Sequence, residues 1–347
     1  RHTRCSRDWS SDVCSSDLED PYLTARTAVS YVRGVQSEGV ASCIKHFVGN
    51  DTEFERMSID SHIDERTLRE TYLVPFEAAV TRAGVMAVMT AYNRINGPWA
   101  ADSPLIADVL RGEWGFDGAV ISDWYGLHST VDGVKAGLDL EMPGPTLHRG
   151  ARLVEAVERG EVSIDDLRAR ARSVLELMQR TGALDADGPG AEGTRHDADD
   201  VRLVRRAGAQ GMVLLRNVAA AGGDPVLPLR PDRVRRVAVL GPNAGRGQVM
   251  GGGSAHVTPT SISATLDAIR SWLEPQGVEV VYAEGCQTHR RLPELDLRMC
   301  STVTVEIHED PERLDYPAAV PMRSRPVESA RVIWQSDPTG RRSPDPT

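Results

Sequence analysis

Asp123 and Trp124 stand directly after a short β-prone run, Ala119-Val120-Ile121-Ser122. Such a run suits a buried strand of a parallel sheet, which places the pair where the strand ends. A carboxylate beside an indole can do sugar chemistry: the indole offers an apolar platform, and the carboxylate can attack a carbon. Capping the following helix is the commoner job for an Asp in that place, so the pair alone decides nothing. Two further strand ends shift the balance. Lys45 and His46 lie toward the end of a run at 41–48, where an ammonium and an imidazole can donate hydrogen bonds to several hydroxyls of one sugar. Tyr92 follows the run at 85–91. In a barrel, separate strand ends converge at one mouth, and chance does not usually equip each of them with polar or aromatic chemistry.

Arg56 lies in the loop after the first of these strands, among Asp51, Glu53 and Glu55. A solvated charged turn accounts for the acids, but a guanidinium fork can bind hydroxyls and hold a carboxylate in place. Asp139 and Glu141, on a short later strand, are the alternative catalytic pair and rank behind Asp123.

These residues need elements to position them. The periodicity predicts a helix over 22–38, a strand over 41–48, and a helix from Asp64 that resumes after Pro75 and runs to Ala83. A strand at 85–91, a helix at 104–114, the central strand at 118–122, a helix at 127–136 and a short strand at 138–140 follow. This alternation predicts a parallel sheet with helical crossovers. A closed β/α barrel has eight such units, and about four are present. Either the sheet is open, or it is the back half of a barrel.

Residues 151–181 read as helical, with Val154, Val157, Leu167, Val174, Leu175 and Met178 as the buried side. The Gly-, Asp- and Pro-rich stretch at 185–200 reads as a linker between a first domain at 19–184 and a second α/β unit at 201–286. In that unit we expect a helix at 201–211, a strand at 212–216, a buried strand at 234–240, a strand at 278–282 and a helix at 261–273. From 287 to 347 the texture changes to short β-prone runs, including 303–307 and 332–334. Residues 1–18 show no periodicity and read as a non-native or disordered tail.

Composition excludes several classes. The chain of 347 residues carries a formal net charge of −10 with no offsetting basic block, which argues against nucleic acid as a partner. No apolar run reaches membrane-spanning length, and no signal peptide pattern opens the chain. The five cysteines (Cys5, Cys14, Cys43, Cys286, Cys300) form no metal spacing and read as reduced thiols, which favours a cytoplasmic location. The glycine-rich stretches at 241–247 and 251–253 do not fit a phosphate-binding loop, and Pro242 removes a backbone donor from the first, so tight turns are expected. His62, His128, His148 and His256 lie in unrelated contexts, so neither a metal nor another cofactor is expected.

Six segments taken together carry a specific resemblance. K-H-F-V-G-N-D (45–51), D-E-R-T-L-R-E (64–70), M-T-A-Y-N (89–93), L-R-G-E-W-G-F-D-G (110–118), S-D-W (122–124) and A-G-L-D-L-E-M-P-G (136–144) resemble the family 3 glycoside hydrolases, β-glucosidase branch, in family order. V-L-L-R-N (213–217), L-P-L (227–229), V-A-V-L-G-P-N-A (237–244) and G-G-G-S-A-H-V-T-P (251–259) are similar to the start of the family's α/β sandwich domain. The resemblance implies the C-terminal half of a TIM-type β/α barrel, followed by the beginning of that sandwich. It implies Asp123 as nucleophile, with Lys45, His46, Arg56 and Tyr92 binding sugar hydroxyls and Trp124 and Met89 shaping the pocket. The implied reaction is retaining hydrolysis of terminal β-glucosyl residues from oligosaccharides or glucosides. Lys45 and Arg56 would help keep Asp123 ionised.

Two departures qualify what the resemblance implies. The family's first half-barrel has no counterpart ahead of Glu19, and no residue here matches the acid/base Glu. After Cys286 the text resembles the start of a protective-antigen-type β-sandwich insert. The expectation is therefore an internal fragment, inactive by itself and poorly stable because its sheet edges are unpaired. Two alternatives remain: a non-catalytic carbohydrate-binding or structural remnant, and a β-xylosidase-type exo-glycosidase.

Overall fold

In a computed structural model of the chain, the described residues are 19–52, 54–186, 188, 197–219, 223–249 and 259–286, with the backbone of four short strands beyond them. They fall into two compact units, the first ending before His196. The segment 1–18 and the glycines at 251–253, with His256, lie outside the described residues, as does most of the stretch read as a linker.

The first unit opens on helix α1 (Pro21–Ser37). Asp20 caps it by accepting the N–H groups of Tyr22 (2.8 Å) and Leu23 (3.2 Å), and Pro21 fits the first turn because it has no N–H to leave unpaired. Thr24, Ala25, Ala28 and Val32 form its buried stripe, and the helix packs on α3 (Val74–Ala83). Between these two helices run β1 (Cys43–Phe47), β2 (Asp60–Ser61) and α2 (Glu65–Thr67), whose last turn widens into a π-helix at Leu68–Tyr72. Asp64 caps α2 through the Thr67 N–H at 3.0 Å.

Strands β3 (Ala87–Thr90) and β5 (Ala119–Ile121) complete a parallel sheet of order β1-β3-β5, with β4 (Arg94–Ile95) pairing separately with β2. The register aligns Val88 with both Ile44 and Val120. Leu140 bridges Ile121 in parallel, so a fourth strand position lies beside β5, as the sequence predicts. The expected helix at 104–114 is present as a π-helix at Ile106–Glu113, and α4 (Val131–Ala136) is shorter than expected. The unit is α/β with helical crossovers.

Its core consists of Ile44 and Phe47 from β1, Phe76 from α3, Val88, Val120, Leu110 and Leu138. Phe47 meets Phe76 and Trp114 edge-on, with ring centroids 5.2 Å and 6.4 Å away. Burial of such a side chain stabilises by about 1.5–3 kcal/mol. Gly118 leads into β5 where nothing larger fits: a Cβ there would lie 2.4 Å from the Met86 carbonyl oxygen.

The helical stretch at 151–181 divides into α5 (Ala151–Glu158) and α6 (Ile164–Arg180), broken at Gly160 with its positive φ. Its buried side agrees with expectation in part: Val157, Leu167, Val174 and Met178 are half-buried, whereas Val154 on α5 and Leu175 on α6 are exposed, and the fully buried residues are Ala156, Val162 and Ser173.

The second unit contains α7 (Ala198–Gly211), β6 (Arg236–Leu240), α8 (Pro242–Gly245), α9 (Thr265–Leu273) and β7 (Glu279–Ala283). Strands β6 and β7 pair in parallel, and Val239, Leu266, Leu273, Val278 and Val280 form a small core. Two expectations fail here. Residues 212–216 form no strand: nothing pairs with them among the described residues, and Leu215 is 92 % exposed. The run at 234–240 is not buried throughout, since only Val239 is covered and Leu240 is 73 % exposed. At 241–247 the chain makes the expected tight turn, with Gly241 at φ 114° leading into α8. Further on, β8 (Thr304–Ile307) pairs antiparallel with β9 (Arg323–Pro326), and β10 (Trp334–Ser336) with β11 (Arg342–Pro344).

Candidate active site

Asp123 sits two residues beyond the last residue of β5 and is 9 % exposed. The carboxylate is held from several sides. His46, from the end of β1, places Nε2 at 3.2 Å from Oδ2, and the Trp124 backbone N–H donates to Oδ1 at 2.7 Å. The Tyr92 hydroxyl, arriving just after β3, also hydrogen-bonds the carboxylate. Two parallel strands thus each bring one side chain to a carboxyl group carried just beyond the third, which is the convergence their spacing predicts. Burial by itself would push the Asp123 carboxyl up. The hydrogen bond and charge of His46, the Trp124 N–H and the Tyr92 hydroxyl outweigh it and hold the pKa below the ordinary carboxylate value.

The turn after Asp123 is narrow. Tyr125 adopts a left-handed backbone (φ 62°), uncommon for an aromatic residue, and its N–H donates to the Met142 carbonyl at 2.9 Å. Gly126 then passes close beneath: a Cβ there would lie 3.2 Å from the Asp123 carbonyl oxygen and 3.4 Å from the Tyr92 ring. Ser122, fully buried, donates its N–H to Leu140 O at 3.0 Å and accepts the Met142 N–H on Oγ at 2.9 Å.

The other predicted residues are arranged around this group. Arg56 lies with its guanidinium carbon 4.8 Å from the centroid of the Tyr92 ring, so the loop carrying it folds back over the strand ends. Tyr72 hydrogen-bonds Asp51 in the same loop, and that bond with partial burial pushes its phenol up to about 12. Lys45 is half-buried beside His46 on β1, and Met89 is half-buried on β3 in register with Ile121. Trp124 is 39 % exposed, leaving part of its indole for a ligand.

Asp139 and Glu141, the alternative pair, are both committed elsewhere. The Asp139 carboxylate is fully buried, 2.6 Å from Arg111 and 3.2 Å from Arg170, and accepts the Val120 N–H at 2.7 Å. Glu141 accepts three successive backbone N–H groups, from Leu147, His148 and Arg149. A carboxylate so occupied has no lone pair directed at a substrate.

Asn93 joins the site without having been expected there. Its buried amide donates to Val48 O (3.2 Å), Ser61 Oγ (3.2 Å) and Arg94 O (2.9 Å), tying the ends of β1 and β3 together. An amide directly after Tyr92 at a strand end was the available signal. His128 stacks on Trp99 with centroids 3.9 Å apart, and His148 lies by Glu141. Among the described residues no group of three or more His, Cys, Asp or Glu side chains is arranged to hold a metal ion, and no helix is long and apolar enough to cross a membrane.

Comparison with known proteins identifies the family. Residues 7–177 match the glycosyl hydrolase family 3 N-terminal domain, and residues 212–331 match the family's C-terminal domain. A protein of Rhizobium radiobacter named beta-glucosidase is 44% identical over 328 residues, covering 93% of this chain and 38% of its own length. A probable beta-glucosidase K of Aspergillus fumigatus is 43% identical, over 81% of this chain and 36% of its own length. Among solved structures, the beta-glucosidase of Kluyveromyces marxianus superposes with a TM-score of 0.71 at 32% identity, over 89% of this chain and 38% of its own. The same enzyme in complex with glucose gives 0.70 at 36% identity, over 79% of this chain and 33% of its own. The chain thus spans well under half the length of these relatives, and it belongs to glycosyl hydrolase family 3.

Proposed function

We propose that the full-length protein is a retaining β-glycosidase, most specifically a β-glucosidase, and that Asp123 is its nucleophile. In this reading β1, β3, β5 and the strand position at Leu140 are the C-terminal half of a TIM-type β/α barrel, and the carboxyl ends of its strands line the sugar site. The observation that carries it is the Asp123 carboxylate itself, buried yet held ionised by His46, the Trp124 N–H and Tyr92. The naming of its relatives as beta-glucosidases supports the sugar, as does the glucose complex of the Kluyveromyces marxianus enzyme.

Chemically, a lone pair of Asp123 attacks the anomeric carbon as the bond to the leaving oxygen breaks, and a glycosyl ester forms on the carboxylate. Water then attacks the same carbon and releases the sugar with net retention. Two inversions at one centre give that outcome. The carboxylate must be charged before the attack, and the depressed pKa provides this. Lys45, His46 and Arg56 would donate hydrogen bonds to the sugar hydroxyls, with Trp124 and Met89 against its apolar face. A second carboxyl group about 5–5.5 Å away must protonate the leaving oxygen. No residue of this chain is assigned to that task.

The decisive experiment is incubation of the full-length protein with a 2-fluoro glucoside bearing a good leaving group, followed by peptide mapping. A glycosyl adduct on the peptide containing Asp123 is expected. Reversible sugar binding with no adduct would instead identify a binding protein, and labelling only by the fluoro-xyloside would move the substrate to xylosides.

A further inference from the structure

Glu141 is 5 % exposed, and its carboxylate is filled by backbone amides. Oε1 accepts from Leu147 N–H (2.8 Å) and His148 N–H (3.1 Å), and Oε2 from His148 N–H (3.1 Å) and Arg149 N–H (2.9 Å). Three consecutive N–H groups converging on one anion form a nest of the kind that usually cradles a phosphate. Here the anion is supplied by the chain, so the loop between Met142 and Arg149 is folded around it. Two other ties hold that loop: Thr130 Oγ1 donates to His148 O at 2.8 Å, and Arg149 Nη2 donates to Leu138 O at 3.1 Å.

The loop begins with Met142, which touches the Asp123 turn on both sides. Its N–H donates to Ser122 Oγ (2.9 Å), one residue before Asp123, and its carbonyl accepts the Tyr125 N–H (2.9 Å), two residues after it. Tyr125 is the residue held at φ 62°. A left-handed aromatic residue is strained and persists only where its surroundings enforce it. The Met142 carbonyl is one enforcing group, and Glu141 is the residue covalently before Met142. One path from the buried carboxylate to the nucleophile therefore runs through the Glu141–Met142 bond, the Met142 N–H to Ser122 Oγ hydrogen bond and the Ser122–Asp123 bond, and a second returns from the Met142 carbonyl through Tyr125 and Trp124.

We infer that Glu141 is a positioning residue for Asp123: by closing the 147–149 amides around its carboxylate it fixes Met142, and Met142 sets the turn that aims the Asp123 carboxylate. The inference rests on Asp123 being the nucleophile. Glutamine at 141 retains the size of the side chain but places an NH2 group against N–H donors, so at least one amide loses its acceptor. The chain then relaxes where strain is stored, at Tyr125. A displacement near 1 Å at a reacting group is enough for about a hundredfold loss of rate.

The test measures the rate constant for inactivation by the 2-fluoro glucoside and, separately, the inhibition constant of glucose, in the full-length protein and its Glu141→Gln variant. The expected result is a fall of about tenfold to a hundredfold in the inactivation rate constant, with glucose binding within about twofold of the parent. Glu141→Asp, which keeps the charge and can still accept amides, should recover part of the rate and also covers the case in which the glutamine variant does not fold. Unchanged inactivation in a thermally weakened variant would overturn the inference and leave Glu141 a loop anchor. Equal losses in inactivation and glucose binding would overturn it too, since the whole pocket would then have collapsed. If the parent protein is not labelled at Asp123, the nucleophile assignment fails and takes this inference with it.

Discussion

His46 Nε2 lies 3.2 Å from Asp123 Oδ2, joining the end of the first strand of the sheet to the turn after the third. The imidazole does for the carboxylate what the sequence assigned to Lys45 and Arg56. It is the leading group that offsets burial and keeps the charge, followed by the Trp124 N–H and the Tyr92 hydroxyl. The consequences can be measured.

Replacement of Asp123 by Asn removes the charge of the proposed nucleophile while nearly preserving volume. Turnover of aryl β-glucosides by the full-length protein should fall on the order of 10⁴-fold or more, the scale of losing a nucleophile. Glucose binding should persist, which titration calorimetry would detect. A variant retaining a tenth of the parent's turnover would exclude Asp123 as nucleophile.

The pH dependence follows from the depressed pKa. The folded value of Asp123 lies below its unfolded value, so its ionised form adds stability above the unfolded pKa, and that contribution disappears as pH falls through the folded one. With Asp123 as the proposed nucleophile, the same ionisation should limit the acid side of glycosylation. In His46→Ala the largest opposing influence is gone and burial acts with less compensation. The acid limb of the inactivation rate should therefore move to higher pH than in the parent; a limb that stays in place would show that another group controls it.

Asp139 makes a different kind of prediction. With its side chain wholly buried against Arg111 and Arg170, Asp139→Asn leaves two guanidinium groups without their counter-charge. Loss of one partner of such a cluster costs about 3–5 kcal/mol. Urea unfolding of the parent and variant should differ by an amount in this range, and a difference below about 1 kcal/mol would mean water or rearrangement compensates.

Tyr72 reports on the loop that carries Arg56. Its phenol is pushed up to about 12 by the hydrogen bond it donates to Asp51, with burial adding to the effect. Spectrophotometric titration of Asp51→Asn against the parent should show one tyrosine ionising at lower pH in the variant. An unchanged titration would mean the bond is absent in solution, and Arg56 would then lack this anchor.

Much of the fold was legible because its signals are local. Asp20 and Asp64 cap helices at the positions where an acid precedes an apolar period, and the strands β1, β3 and β5 fall inside the runs of β-prone residues. The second unit was less legible. The run at 212–216 has β-branched and aliphatic residues, but strand formation requires a partner, and a propensity contains no information about one. The face of α6 was legible in part for a related reason: periodicity identifies an apolar side, and Leu167, Val174 and Met178 are half-buried, while full burial depends on how much of that side is covered.

By itself the sequence determined the set of candidates: which strand ends carry chemistry, and that Asp123, Asp139 and Glu141 were the acids to weigh. The sequence ranked Asp123 first, and only the tertiary structure shows what surrounds each of the three. Asp139 is removed from contention by Arg111, 28 residues earlier in the chain, and by Arg170 on a helix beyond it, and Glu141 by the amides of 147–149. Asp123 keeps its charge through an imidazole brought from β1. A carboxylate's role depends on its solvation and its charged or hydrogen-bonding neighbours, and these are supplied by residues distant in sequence.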